Sequence, residues 1–368
     1  MDALADWIRR HGGTVHVEIS DERGEGRGVV AARDIEHGAR ILSVPRALLL
    51  TPAVVRESDV GRAVTDASHS VSDDQFLLAA YLLASRRSET PWTVYADALP
   101  SQRPDVPTGY DETDLALLEG SPALRRIRHE RRMFREQFDV LITAVPALAG
   151  CTFEEFFWAR TLVPSRAFAL LGSEALVPMA DMFNHRRAPD VEWGFEHPMD
   201  SFVMRALRPI TSGERLHDSY GKKCNALLFE LYGFCPGDGD RDEATVRFPV
   251  IDASHPLAGG TSTFGRTVDG ERTFRVSAAA AHAEEATAIT YLRRLLGDHA
   301  PLEQTDSRVA SAIVEACDRA LAAYPTTVTE DDALLNNDGL SSRARNCVRV
   351  RAGEKRALGA VRARYSHA

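Results

Sequence analysis

The chain has 368 residues, 44 Lys+Arg against 53 Asp+Glu, a formal net charge of −9, and 44% hydrophobic content. That length predicts roughly two or three domains of about 100–200 residues, and the composition is that of a folded protein, not of a disordered or fibrous one. The acidic balance argues against a general nucleic-acid binder, which needs a basic surface to displace counterions, and no window approaches 18 uninterrupted apolar residues, so no membrane span is expected.

Asp2–His11 places Leu4, Trp7 and Ile8 on one side and stops at Gly12-Gly13, which predicts a short amphipathic helix and not a signal peptide. VHVEI, from Val15, alternates as a half-buried strand does. Gly24, Gly26 and Gly28 punctuate a tight loop, and strands follow over Gly28–Ile35 and Ala39–Pro45, joined at His37-Gly38. From Pro52 to Phe157 the texture is helical, with Gln75–Ser85 as a buried helix and further helices over Trp92–Leu99, Glu112–Glu119, Ala123–Leu141 and Phe153–Arg160.

Short strands are expected next over Ala175–Asn184, Val191–Glu196, Ser201–Leu207 and Arg215–Ser219, then a compact helix at Asn225–Tyr232. The Gly- and Asp-rich run from Pro236 to Glu243 reads as a linker. Beyond it lie a strand at Thr245–Ile251, a hairpin at Asp269-Gly270, and helices at Ala278–Leu296, Ser307–Ala323 and Gly353–Tyr365. The order is β, helical insert, β, helical C-terminal part: an α+β fold, with no chemistry yet attached.

Two counts narrow the setting. The five cysteines, Cys151, Cys224, Cys235, Cys317 and Cys347, form no CxxC pair, which predicts neither a disulfide framework nor a zinc site and favours a reducing, intracellular compartment. Of the 44 basic residues only Lys222, Lys223 and Lys355 are lysines; arginine-favouring codon usage explains such a bias.

Three constellations carry candidate chemistry. The loop Gly24–Gly28 lets backbone approach a ligand closely, but a strand follows it, so it is not a dinucleotide fingerprint; an ordinary hairpin loop explains it as well. Asp181-Met182-Phe183-Asn184-His185 follows the apolar VPMA with three polar side chains; satisfied backbone or a gripped polar ligand explains them better than a metal. Ser219-Tyr220-Gly221 sets a tyrosine between a strand and a helix, and Tyr232-Gly233-Phe234 closes that helix as a cap with two aromatics.

Taken in order, these pieces resemble the SET-domain methyltransferases, in the branch of the RuBisCO large-subunit lysine methyltransferase. The resemblance is carried by Glu25–Thr51, by PSRAF (Pro164–Phe168), by ALVPMADMFNH (Ala175–His185) and by SYGKKCNALLFELYGF (Ser219–Phe234), with YPTTVTEDDALL (Tyr324–Leu335) and RAGEKRAL (Arg351–Leu358) behind. It spans nearly the whole chain. It implies a catalytic SET domain over residues 1–51 and 158–238, a helical insert over 52–157, a substrate-binding domain over 239–368, and a threaded, knot-like crossing of the Asn184-His185 and Tyr220 segments.

The resemblance also implies a site. Glu25, Gly26 and Arg27 hold the amino-acid end of S-adenosylmethionine; Arg166, Asn184, His185 and Tyr220 flank the cofactor, and Phe234 packs on its adenine. Tyr220 is the catalytic tyrosine. Ser165 and Arg166, through their carbonyls, and Asp181, Tyr220 and Tyr232 surround a lysine presented by a protein substrate. No metal is implied, because the leaving group is a neutral thioether. Neither nucleic acid nor membrane is an expected partner, and the expected location is intracellular, cytoplasmic first. Methylation of a protein histidine and a non-catalytic interaction module remain the alternatives. Departures from the family pattern stand at Arg186-Arg187, at His217-Asp218 and in CPGDGDRDE after Phe234.

Overall fold

A computed structural model describes residues 3–21, 26–67, 73–250, 266–268, 270–279, 283–296 and 307–366. The chain divides into two compact units, residues 1–104 with 131–222 and residues 105–130 with 223–368. The helix Pro122–Ala144 is shared out between them.

The first unit holds two four-stranded sheets. One runs Thr14–Val15, Arg40–Pro45, Ser201–Ala206, Val191–Glu196, antiparallel throughout. The other runs Val17–Ser20, Gly28–Ala31, Arg215–Asp218, Asn184–His185, and its last pair is parallel. The strands on either side of His37-Gly38 therefore lie in different sheets. The first stops at Ala31, and Ile35 makes only an isolated bridge to Ile210. A buried core runs from Leu4 and Ile8 through Ile41, Leu42 and Val44 to Phe76–Ala84 and Phe156–Val163. The helix Asp74–Arg87 packs against Phe153–Arg166; Asp73 and Thr152 cap their N-termini, the latter in a capping box with Glu155.

Two readings of this unit need correction. The helix expected over Phe153–Arg160 runs on to Arg166, because Pro164 falls in its last turn, where one missing N–H is tolerated. The strand expected over Ala175–Asn184 is broken. Ser173–Leu176 forms a hairpin with Ala167–Leu170, then Met179, at φ +72°, turns the chain into the short 3₁₀ segment Ala180–Met182. That turn carries Asp181 inward.

In the second unit a three-stranded sheet, Glu243–Pro249, Glu271–Ser277, Arg266–Val268, buries Val246, Phe248, Phe274 and Val276 against Tyr291, Val309, Ile313 and Leu358. The hairpin expected at Asp269-Gly270 forms, with Gly270 at φ +78°; Asp269 lies outside the described residues. A second cluster gathers Tyr110, Leu115, Leu118, Ile127, Phe229, Cys347 and Val350. The last helix begins at Ser342, not Gly353, and a capped helix over Val328–Leu335 adds to those expected. Among the described residues no helix is long and apolar enough to cross a membrane.

Candidate active site

The parallel pairing of His217 with Asn184 and Asp218 with His185 brings two segments 33 residues apart in register to one place. Tyr220 follows directly. Its backbone N–H donates to His185 Nδ1 at 3.0 Å, so the neutral ring carries its proton on Nε2. The two rings stack with centroids 5.0 Å apart. The Tyr220 hydroxyl donates to the Phe183 carbonyl at 2.9 Å. Burial pushes that phenol up to about 12, so it remains a donor throughout the neutral range.

Asn184 reaches the other way, donating from Nδ2 to the Arg27 carbonyl at 3.1 Å. Gly28 makes this approach possible: a Cβ there would stand 2.9 Å from Asn184 Nδ2 and 2.6 Å from the Arg215 guanidinium. Arg215 in turn donates to the Gly26 carbonyl, and Gly26 takes φ +70°. The Arg27 side chain crosses to the carbonyl of Ala98 at 2.6 Å, leaving Nε buried with no hydrogen-bond partner. Glu25 lies outside the described residues.

Arg166 ends its helix over the Asp181 turn. Its Nη1 donates to the Asp181 carbonyl at 2.6 Å and to Oδ2 at 3.2 Å. Neighbouring Ser165 turns its hydroxyl back onto the Leu162 carbonyl. Asp181 is buried, and its Oδ2 also accepts from the Tyr95 hydroxyl at 2.9 Å. Burial raises the pKa of this carboxyl, and the opposing pull of Arg166 and Tyr95 does not restore it. Asp181 Oδ1 and Arg166 Nε are buried without hydrogen-bond partners.

The first unit thus gathers Gly26, Arg27, Arg166, Asp181, Asn184, His185 and Tyr220 through direct contacts, with Ser165 adjoining. Tyr232 and Phe234 belong to the second unit. There the helix Asn225–Tyr232 ends on Gly233 in the left-handed conformation, and the flanking rings lie 6.1 Å apart at 47°. Lys223 Nζ sits 5.8 Å from the Tyr232 ring centroid.

Two of the departures from pattern prove to be one feature. The Asp190 carboxylate accepts from Arg186, from Arg208 at 2.9 Å, from the His217 backbone at 3.0 Å, and meets His217 Nδ1 at 3.2 Å. Burial works against the charged form, but the Arg208 and His217 hydrogen bonds prevail and hold Asp190 below its ordinary value. The knot of charges braces the segment that delivers Asn184 and Tyr220. Sequence reading missed Tyr95, Asp190 and Arg215. Each lies outside the motifs, and no local spacing signals a partner tens of residues away.

The chain matches the SET domain over residues 26–221 and the Rubisco LSMT substrate-binding family over residues 270–358. It is 27% identical over 374 residues to the ribulose-1,5 bisphosphate carboxylase/oxygenase large subunit N-methyltransferase of Nicotiana tabacum, covering 91% of this chain and 74% of that one. It is 26% identical to the [fructose-bisphosphate aldolase]-lysine N-methyltransferase of Arabidopsis thaliana, covering 96% and 80%. The actin-histidine N-methyltransferase of Plecturocebus moloch is likewise 26% identical, covering 96% and 66%. A solved structure of the SET domain of LSMT bound to lysine and AdoHcy superposes with a TM-score of 0.76 at 24% identity, over 98% of this chain and 90% of that one, and shows the shared fold. The SET-domain match alone spans more than half of the 368 residues, so the chain belongs to the SET-domain methyltransferase family.

Proposed function

We propose that the chain transfers a methyl group from S-adenosylmethionine to a lysine amine of a protein substrate. The observation that carries this reading is the half-buried Tyr220 hydroxyl, held on the Phe183 carbonyl where the two crossing strands deliver Asn184 and His185. In this reading residues 1–51 and 158–238 form the catalytic domain, 52–157 the insert and 239–368 the substrate-binding domain. Five cysteines that are all buried free thiols support a reducing, intracellular setting.

The residues present fit the cofactor. Gly28 lets Asn184 and Arg215 close on the Gly26-Arg27 backbone, and the Nε atoms of Arg27 and Arg166 are buried donors without partners. We assign the amino-acid end to Glu25, Gly26 and Arg27, the flanks to Arg166, Asn184 and His185, and the adenine to Phe234. When bound, S-adenosylmethionine supplies an activated methyl group on a sulfonium, and no metal is needed to release a neutral thioether. The chain must present the lysine neutral. An unperturbed lysine titrates near 10.4, so neutrality at pH 7 costs roughly 3.4 units, about 4.6 kcal/mol. The half-buried Tyr220 ring desolvates the ammonium and reduces that cost. The carbonyls of Ser165 and Arg166, with Asp181 and the Tyr220 hydroxyl, orient the amine for in-line attack.

The actin-histidine relatives make histidine the competing acceptor, and a fold retained only for protein binding is the competing class. Labelled methyl transfer into a cell lysate, with mass spectrometry of the modified residue, separates the three. Label on lysine is expected. Label confined to histidine overturns the choice of acceptor, and neither cofactor binding nor labelling overturns the enzyme.

A further inference from the structure

The insert touches the proposed site through the short helix Thr93–Ala98. The Ala98 carbonyl holds the Arg27 guanidinium, beside the proposed cofactor loop. One turn earlier, Tyr95 is fully buried, and its hydroxyl lies 2.9 Å from Asp181 Oδ2. That oxygen has two donors, Tyr95 and Arg166, and Oδ1 has none. The same Arg166 Nη1 grips the Asp181 carbonyl, and two residues on, the Phe183 carbonyl receives the Tyr220 hydroxyl.

We propose that Tyr95, carried by the helical insert, is a positioning residue for methyl transfer: it holds the Asp181 carboxylate, and through it the Arg166 side chain and the turn whose Phe183 carbonyl orients Tyr220. The inference rests on the proposed function. It gives the insert a chemical task beyond covering the site, because a buried carboxylate keeps one orientation only while its donors are in place.

The charged and titratable groups that bear on Asp181 are Arg166 from the helix Phe153–Arg166, Tyr95 from the insert and Tyr220 from the crossing. Burial already raises the Asp181 carboxyl, and Tyr95 is one of the two side chains opposing that rise, beside Arg166. Removing the hydroxyl therefore raises it further, and Asp181 takes up its proton at higher pH.

Tyr95→Phe tests this with three readouts. Affinity for S-adenosylmethionine, measured by calorimetry, is expected within about twofold of wild type. Turnover is expected to fall about tenfold, with the acid limb of the kcat profile displaced to higher pH. In the carbon-13 spectrum of aspartate-labelled protein, the Asp181 carboxyl, assigned by its loss in Asp181→Asn, is expected to titrate at higher pH in the variant. A variant whose profile and carboxyl titration both superimpose on wild type, while wild type transfers methyl, overturns the role of Tyr95 alone. A wild type that transfers methyl to no protein overturns the proposed function and this role together.

Discussion

Tyr220 keeps its proton because burial lifts it to about 12, so the part proposed for its hydroxyl is that of a hydrogen-bond donor and not of a base. Tyr220→Phe keeps the ring that stacks on His185 and removes only the donor to Phe183. Turnover is expected to fall on the order of 100-fold, as for loss of one preorganised donor, with cofactor affinity and melting temperature close to wild type. Unchanged turnover would remove the hydroxyl from the chemistry. This residue was legible in advance because a motif of several letters surrounds it. Tyr95 was not, since the contact that gives it meaning spans 86 residues and belongs to topology.

At the scale of elements, those with strong local signals were read to the residue. Val191–Glu196 and Asn225–Tyr232 appear with their expected bounds, one framed by turn residues, the other closed by Gly233. Failures came where a residue's usual local meaning was overruled by packing. Gly353 reads as a helix start, yet it sits inside the helix Ser342–Tyr365 because a Cβ there would stand 2.4 Å from Asp242 Oδ1. Met179 reads as strand, yet it takes φ +72° to turn Asp181 inward. The helix Ser342–Tyr365 also carries Glu354, which burial raises to about 7, against the pull of Ser121, Arg126 and Tyr324. Its folded value stands above its unfolded value near 4.5. The native state therefore binds more protons between the two, and its stability is lost as pH rises from about 4.5 through 7. Glu354→Gln removes that loss. The gain in melting temperature over wild type is expected to be several degrees at pH 8 and small at pH 5, by calorimetry. An equal gain at both values would show that Glu354 is ionised in the same way in both states.

At the scale of the whole molecule, the alternation of β and helical texture was enough for an α+β fold, but not for its division. The units cut through the helix Pro122–Ala144 and give residues 105–130 to the C-terminal half, an assignment that only long-range packing makes. The same scale gives a meaning to the three lysines. Lys355 is buried. Its Nζ pairs with Asp331 Oδ2 at 2.7 Å and donates to the Thr326 carbonyl at 2.7 Å and the Thr327 carbonyl at 3.0 Å. Arg351 shares Asp331. Without Lys355, Asp331 keeps Arg351, but its Oδ2 and the Thr326 and Thr327 carbonyls lose their buried partner, so Lys355→Met is expected to cost about 1–3 kcal/mol in urea unfolding. Lys222 is exposed, and Lys223 lies against the Tyr232 ring. Under the proposed lysine methylation, the chain incubated alone with labelled S-adenosylmethionine thus offers no lysine amine but these two. To react, Lys355 would have to leave its ion pair and both carbonyls and lose its charge, while Asp331 stayed buried. Mass spectrometry after long incubation is expected to find Lys355 unmodified, and Lys222→Arg/Lys223→Arg protein free of lysine label. Methyl groups on Lys355 would mean that the C-terminal helix opens on the timescale of turnover, and that the buried ion set is weaker than its geometry implies.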